Sequence, residues 1–144
     1  MKKLTQFLCL VLVFSLIAAV PAFASGATPR ASDYFASYSS YIETRSSNSF
    51  RVWYEVNAVK GMDELGASEI RVQRSADGVT WTTVKTYTSD NYPSMICEDT
   101  GSHDGYVTYS NASSGYYYRA RIDYYAKLGN GTGIYIDYTS SVRY

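Results

Sequence analysis

The chain of 144 residues is short of the side chains that carry most protein chemistry: it has two cysteines, one histidine and three prolines, and its 13 basic and 13 acidic groups cancel. Each scarcity excludes something. So few thiols rule out a disulfide scaffold, so an apolar core has to hold the fold. A single imidazole, His103, leaves no histidine and cysteine pairs at zinc-ligand spacing and no second histidine base. The two charge signs interleave, so no basic face stands ready to release counterions from phosphates, and nucleic acid is not an expected partner. No long amphipathic helix pattern occurs, and only one apolar run is long.

That run lies near the N-terminus. Lys2 and Lys3 precede an uncharged apolar stretch from Phe7 to Val20, and Pro21-Ala22-Phe23-Ala24 offers small residues where a signal peptidase reads. The pattern predicts a secretory signal peptide over residues 1–24, cut between Ala24 and Ser25. As a helix the stretch rises only about 21 Å against a hydrocarbon core of roughly 30 Å, so no membrane anchor is expected. Cys9 lacks the small residues that precede a lipidated cysteine. Cleavage removes Cys9 and two lysines, leaving 11 basic against 13 acidic groups and one thiol, Cys97. Cys97 is expected to act as a buried small hydrophobe; an exposed thiol joining two copies is the alternative. The expected product is an extracellular bacterial protein.

Residues 25–32, with Gly26 and Pro29, read as a flexible lead-in, and residues 33–144 as one domain. Within it, β-branched and aromatic runs alternate with Gly, Asn, Asp and Ser clusters, the pattern of an all-β fold. Phe50, Val52, Tyr54, Val56 and Ala58 share one strand face, with Arg51, Trp53, Glu55 and Asn57 on the other. Ile70 and Val72 belong to a strand that turns at Asp77-Gly78 and returns through Trp81, Val84 and Tyr87. Gly105 to Ser110 and Gly115 to Leu128 read as further strands, the second placing Tyr116, Tyr118, Ala120, Ile122 and Tyr124 on one face. Gly129 to Gly133 reads as a turn and Ile134 to Tyr144 as the closing strand. Asp33 to Ile42 fits strand and helix spacing alike; its serines and tyrosines favour the strand. Met62 to Gly66 reads as one helical turn, and Glu98 to Gly105 as a polar loop.

Arg74-Ser75-Ala76-Asp77-Gly78-Val79-Thr80-Trp81 and Gly115-Tyr116-Tyr117-Tyr118-Arg119-Ala120-Arg121 resemble the central hairpin and penultimate strand of a fibronectin type III or immunoglobulin-like domain. The resemblance implies a seven-stranded antiparallel β-sandwich, with Tyr116 hydrogen-bonding back to a corner at Ser113-Ser114-Gly115 and Asp77, Gly78 and Trp81 in structural roles. The mature chain, from Asp33-Tyr34-Phe35 through Gly61-Met62-Asp63-Glu64-Leu65-Gly66-Ala67, is also similar to an uncharacterised family of small exported Gram-positive proteins, which implies no activity. The Asp77 segment resembles the Asp-box of sialidase-type propellers, but has one residue fewer between Asp and Gly and occurs once.

Catalytic equipment is sparse. His103 has no Gly-x-Ser-x-Gly elbow beside it, and a hydrolase built on it is the last of three readings. Glu98, Asp99 and Asp104 supply oxygen ligands without the spacing of a calcium loop, so a solvated acidic turn is expected, with no metal and no cofactor. What stands out is 16 tyrosines and two tryptophans, more than a small core absorbs. Trp53, Tyr117, Tyr125 and Arg119 fall on strand faces opposite the apolar ones. The sequence therefore suggests a non-enzymatic domain that binds a protein or glycan through these four residues or through loops. A self-assembling structural protein is the alternative.

Overall fold

In the computed structural model of the chain, residues 33–144 are described; the expected signal peptide, its cleavage site and the lead-in lie outside them. Seven strands follow in order: β1 (Phe35–Ser46), β2 (Ser49–Ser75), β3 (Thr82–Thr88), β4 (Ile96–Tyr109), β5 (Tyr117–Leu128), β6 (Gly131–Tyr138) and β7 (Val142–Arg143). All pairings are antiparallel.

The spine is β2, 27 residues long. Its first half lies between β1 and the end of β4; its second half lies between β5 on one edge and β3 and the start of β4 on the other. Between the halves, the β2–β4 register jumps from Asn57↔Ser102 to Met62↔Thr100, and the extra residues on β2 let the sheet bend. β6 extends the far side of β5, and β7 pairs with the start of β5. The result is one seven-stranded sheet curled into a half-barrel. All-β architecture, antiparallel pairing and seven strands agree with the sequence reading, but the continuity of β2 makes one sheet of what two separate strands would have divided.

Period-two patterning produces the curl. Along β5 every even residue from Tyr118 to Ala126 is buried and every odd one half-exposed. Phe50, Val52, Tyr54 and Val56 bury the matching face of β2, and the two halves meet in a single core. Phe50 joins Tyr109, Tyr118 and Tyr144 in ring contacts of 5.3 to 5.6 Å. Burying a tyrosine strands its hydroxyl unless a partner is found. Here the partners are backbone groups of other segments: Tyr124 donates to the Ser39 carbonyl at 2.7 Å, Tyr87 to that of Thr108 at 2.7 Å and Tyr144 to that of Ser49 at 2.8 Å.

Four local expectations are corrected. Met62 to Gly66 is extended, because Met62 and Leu65 bury their side chains and the backbone pairs with Thr100 through Ile96. Glu98 to Asp104 is strand rather than loop, held by that same pairing. The closing strand is broken at Thr139, whose N–H donates to the Ala120 carbonyl while its hydroxyl accepts the Ala120 N–H. The turn before β6 is confined to Gly129 and Asn130; Gly133 belongs to β6, where an added Cβ would lie 2.6 Å from the Tyr34 ring.

Replacing Tyr124 by Phe removes a part-buried hydrogen bond to the Ser39 carbonyl, and we expect a loss of about 0.5–1.5 kcal/mol in urea unfolding. Burial also pushes the phenols of Tyr54 and Tyr124 up and that of Tyr87 up to about 12. A raised phenol favours the folded state fully below the ordinary value of about 10, and that stability is lost as pH rises through the raised values. Alkaline titration should therefore show the tyrosinate absorbance of these residues appearing together with loss of the fold; ionisation of all three within an intact fold would contradict this.

Candidate functional site

The curl leaves two outward faces of different chemistry. On the first, strand register aligns side chains in rows across β1, β2 and β4. Tyr41, Trp53 and Tyr106 are direct cross-strand partners and form an aromatic row. The Tyr41 and Trp53 planes lie within 13° of parallel at 6.3 Å, and Trp53 and Tyr106 stand 4.6 Å apart. Tyr41 is 56% exposed and Tyr106 46%.

Polar rows flank the aromatic one. On one side the Trp53 indole N–H donates to Glu43 at 2.9 Å, which with Arg45 holds the Glu43 carboxyl below its ordinary value. The Arg51 guanidinium lies 4.3 Å from the Tyr106 ring centroid. On the other side Ser39, Glu55 and Asp104 are aligned partners. Two exposed carboxylates directly opposite one another are destabilising, yet this sheet keeps them beside the exposed rings of Tyr41 and Tyr106. A depression of 380 Å³ opens there, lined by Ser39, Tyr41, Trp53, Tyr54, Glu55 and Asp104.

The second face comprises the outer sides of β3, β2, β5 and β6. It carries Tyr117, Arg119, Arg121, Asp123 and Tyr125 along β5, so Trp53 and the other three nominated residues lie on different faces. Arg119 sits between Trp81 and Tyr138, 4.3 and 4.6 Å from their ring centroids, and its Nε–H donates to Gln73 at 2.8 Å. Arg143 covers Tyr117 at 5.3 Å. Below this, Arg121 binds Asp123 at 2.9 Å and Arg71 binds Glu69; burial raises the Asp123 carboxyl while Arg121 opposes the shift.

Trp81 is placed by the β2–β3 connection. Asp77 Oδ1 accepts from the backbone N–H groups of Val79 and Thr80 at 2.9 and 2.8 Å and from the Ser75 hydroxyl at 2.8 Å. Gly78 supplies the positive φ of 74° that the turn needs. The hydrogen bond back to the corner before β5 is made by Tyr118, whose hydroxyl accepts the Ser113 N–H at 2.9 Å. Tyr116, nominated for it, lies instead under the Arg74 guanidinium at 4.5 Å, because it precedes the strand and its ring stays at the sheet end.

The remaining nominated groups are not brought together. His103 Nε2 is 3.1 Å from the Ser94 carbonyl and 3.3 Å from the Tyr54 hydroxyl. Glu98, Asp99 and Asp104 are strung along β4, and among the described residues no three His, Cys, Asp or Glu side chains are grouped to hold a metal. Cys97 is half-buried, its thiol donating to the Glu98 carbonyl at 3.7 Å. Sequence reasoning missed Tyr41, Tyr106 and the Glu55–Asp104 pair, since only the register of β2 against β1 and β4 aligns them with Trp53.

No protein-family model matches the chain, and no curated protein matches it. Among solved structures it is similar to Spo0M, a sporulation control protein from Bacillus subtilis, at 9% identity and a TM-score of 0.44. The match covers 73% of this chain and 48% of that one, about half the length of that protein.

Hydrogen bonds to Thr80, Val79 and Ser75 hold the Asp77 carboxyl well below the usual carboxylate range. The stability they contribute is present above the ordinary value of about 4 and is lost as pH falls toward the depressed one. Asp77→Ala is expected to lower the melting temperature at neutral pH and to melt like the parent chain in strong acid. An equal gap at both pH values would contradict this account of the turn.

Proposed function

We propose that the chain is the precursor of an exported, non-enzymatic domain that binds a saccharide through the Tyr41–Trp53–Tyr106 row. The observation that carries this reading is the alignment itself. Three rings on adjacent strands offer a broad apolar surface, and exposed carboxylates run alongside it. Sugar rings have apolar C–H faces that pack on aromatic rings and hydroxyls that donate to carboxylates; Glu55, Asp104 and Ser39 stand where such hydroxyls fall. Tyrosine and tryptophan give this contact area at little entropic cost.

Export rests on the leader of residues 1–24. A binding rather than catalytic role is supported by the surroundings of His103, a backbone carbonyl and the Tyr54 phenol, which burial holds in its protonated, weakly nucleophilic form. Kinship with fibronectin type III and immunoglobulin-like domains belongs to the same proposal, supported by antiparallel topology and by a tyrosine, Tyr118, bonded to the corner before its strand.

A glycan array followed by calorimetry on the best ligand tests the reading. The Tyr41→Ala, Trp53→Ala, Tyr106→Ala triple variant should lose at least about tenfold in affinity, some 1.4 kcal/mol, while keeping the circular dichroism of the parent chain. A parent chain that binds no glycan, or a triple variant that binds equally well, overturns it.

A further inference from the structure

The second outward face carries chemistry that the aromatic row does not. Across β3, β2 and β5, Thr83, Gln73 and Arg119 are successive cross-strand partners. The oxygen of Gln73 is occupied by Arg119 Nε–H, so the amide nitrogen is the group it has left to offer. Thr83 adds a hydroxyl. Arg119, at the β5 end of the row, has only donors and carries its charge.

The guanidinium is immobilised in advance. Two aromatic rings sandwich it at 4.3 and 4.6 Å, and Gln73 tethers its Nε. Arg45, Arg71 and Arg121 each hold a carboxylate, whereas Arg119 makes no ion pair within 4.0 Å among the described residues. The neighbouring acids are engaged elsewhere: Asp123 with Arg121, Glu69 with Arg71, and Asp77 with the donors of its own turn. A planar fork whose rotational freedom is already spent binds an oxyanion at lower entropic cost than a free arginine does.

We propose that this row is a second binding site, selective for the oxyanion of an acidic saccharide, whether a uronate carboxylate or a sulfate ester. The saccharide body is assigned from what adjoins the row: Tyr138 is 47% exposed and Ile136 46%, an apolar strip along β6 beside the guanidinium. Charge complementarity separates the two faces. The first presents paired carboxylates and disfavours acidic sugars; the second presents donors and recruits them. This site stands independently of the aromatic row.

The two tryptophans make the test internal, since Trp53 lies on one face and Trp81 on the other. In isotope-edited spectra of the chain, trigalacturonate and a sulfated trisaccharide are expected to shift the Trp81 indole signal and leave that of Trp53 in place. The methyl ester of trigalacturonate should leave the Trp81 signal in place, and added salt should weaken the shift caused by the acidic sugars. Gln73→Glu places an internal carboxylate against Arg119 without removing the stack; it should reduce affinity at least tenfold while the melting temperature holds or rises. Arg119→Lys keeps the charge, loses the fork and should weaken binding similarly. Absence of a Trp81 shift with either acidic sugar overturns the proposal, as does an equal Trp81 shift with the methyl ester or unchanged affinity in Gln73→Glu. Inorganic sulfate matching the sugars in affinity overturns the saccharide assignment.

Discussion

The phenol that a buried tyrosine carries into the core must end on a hydrogen bond, and the curl of this sheet supplies the acceptors. Tyr124 reaches from β5 to the carbonyl of Ser39 on β1, strands that share no ladder, and Tyr144 reaches from the C-terminus to Ser49 at the start of β2. Flattening the sheet would pull these groups apart and leave donors and carbonyls unpaired. The curvature is therefore tied to side chains as much as to strand pairing. Close packing against small residues accompanies it: a Cβ on Gly105 would come within 2.6 Å of the Tyr54 hydroxyl oxygen.

With the inner face consumed in this way, the outer faces are free to differ. One places an aromatic row between a Glu43–Arg51 row and two aligned carboxylates; the other stacks arginines on aromatic rings. Five arginine or lysine side chains make six contacts over aromatic rings in the described residues, against a typical frequency of about one in 70–80 residues. The excess of tyrosine thus serves both sides of the sheet: inside as volume with a tethered hydroxyl, outside as a partner for cations.

Legibility followed the range of the interaction. Alternation along β5 and along the first half of β2 was readable because period two is a local property of an extended chain, and the faces assigned to Tyr118, Ile122 and Trp53 agree with it. The Asp77-Gly78 turn was readable for the same reason. Met62 to Gly66 and Glu98 to Asp104 were misread together, since the first is extended by its pairing with the start of β4 and with β5, and the second by its pairing with both halves of β2. Their short polar and glycine-containing stretches hold no strong propensity, and a nonlocal ladder decided both. Tyr118 replaced Tyr116 at the corner because β5 begins only at Tyr117, so of the two rings on that face Tyr118 is the one that enters the core.

From the sequence alone came the expectation of a leader, an all-β chain, an excess of aromatic residues and a shortage of catalytic groups, each a matter of composition or short-range period. Tertiary structure decided that β2 runs unbroken through the whole sheet, that Tyr41 and Tyr106 flank Trp53, that Glu55 faces Asp104, and that Arg119 lies clamped between Trp81 and Tyr138. Those juxtapositions join residues far apart in the chain. Cross-strand register sets them, and register depends on the core closing over all strands at once.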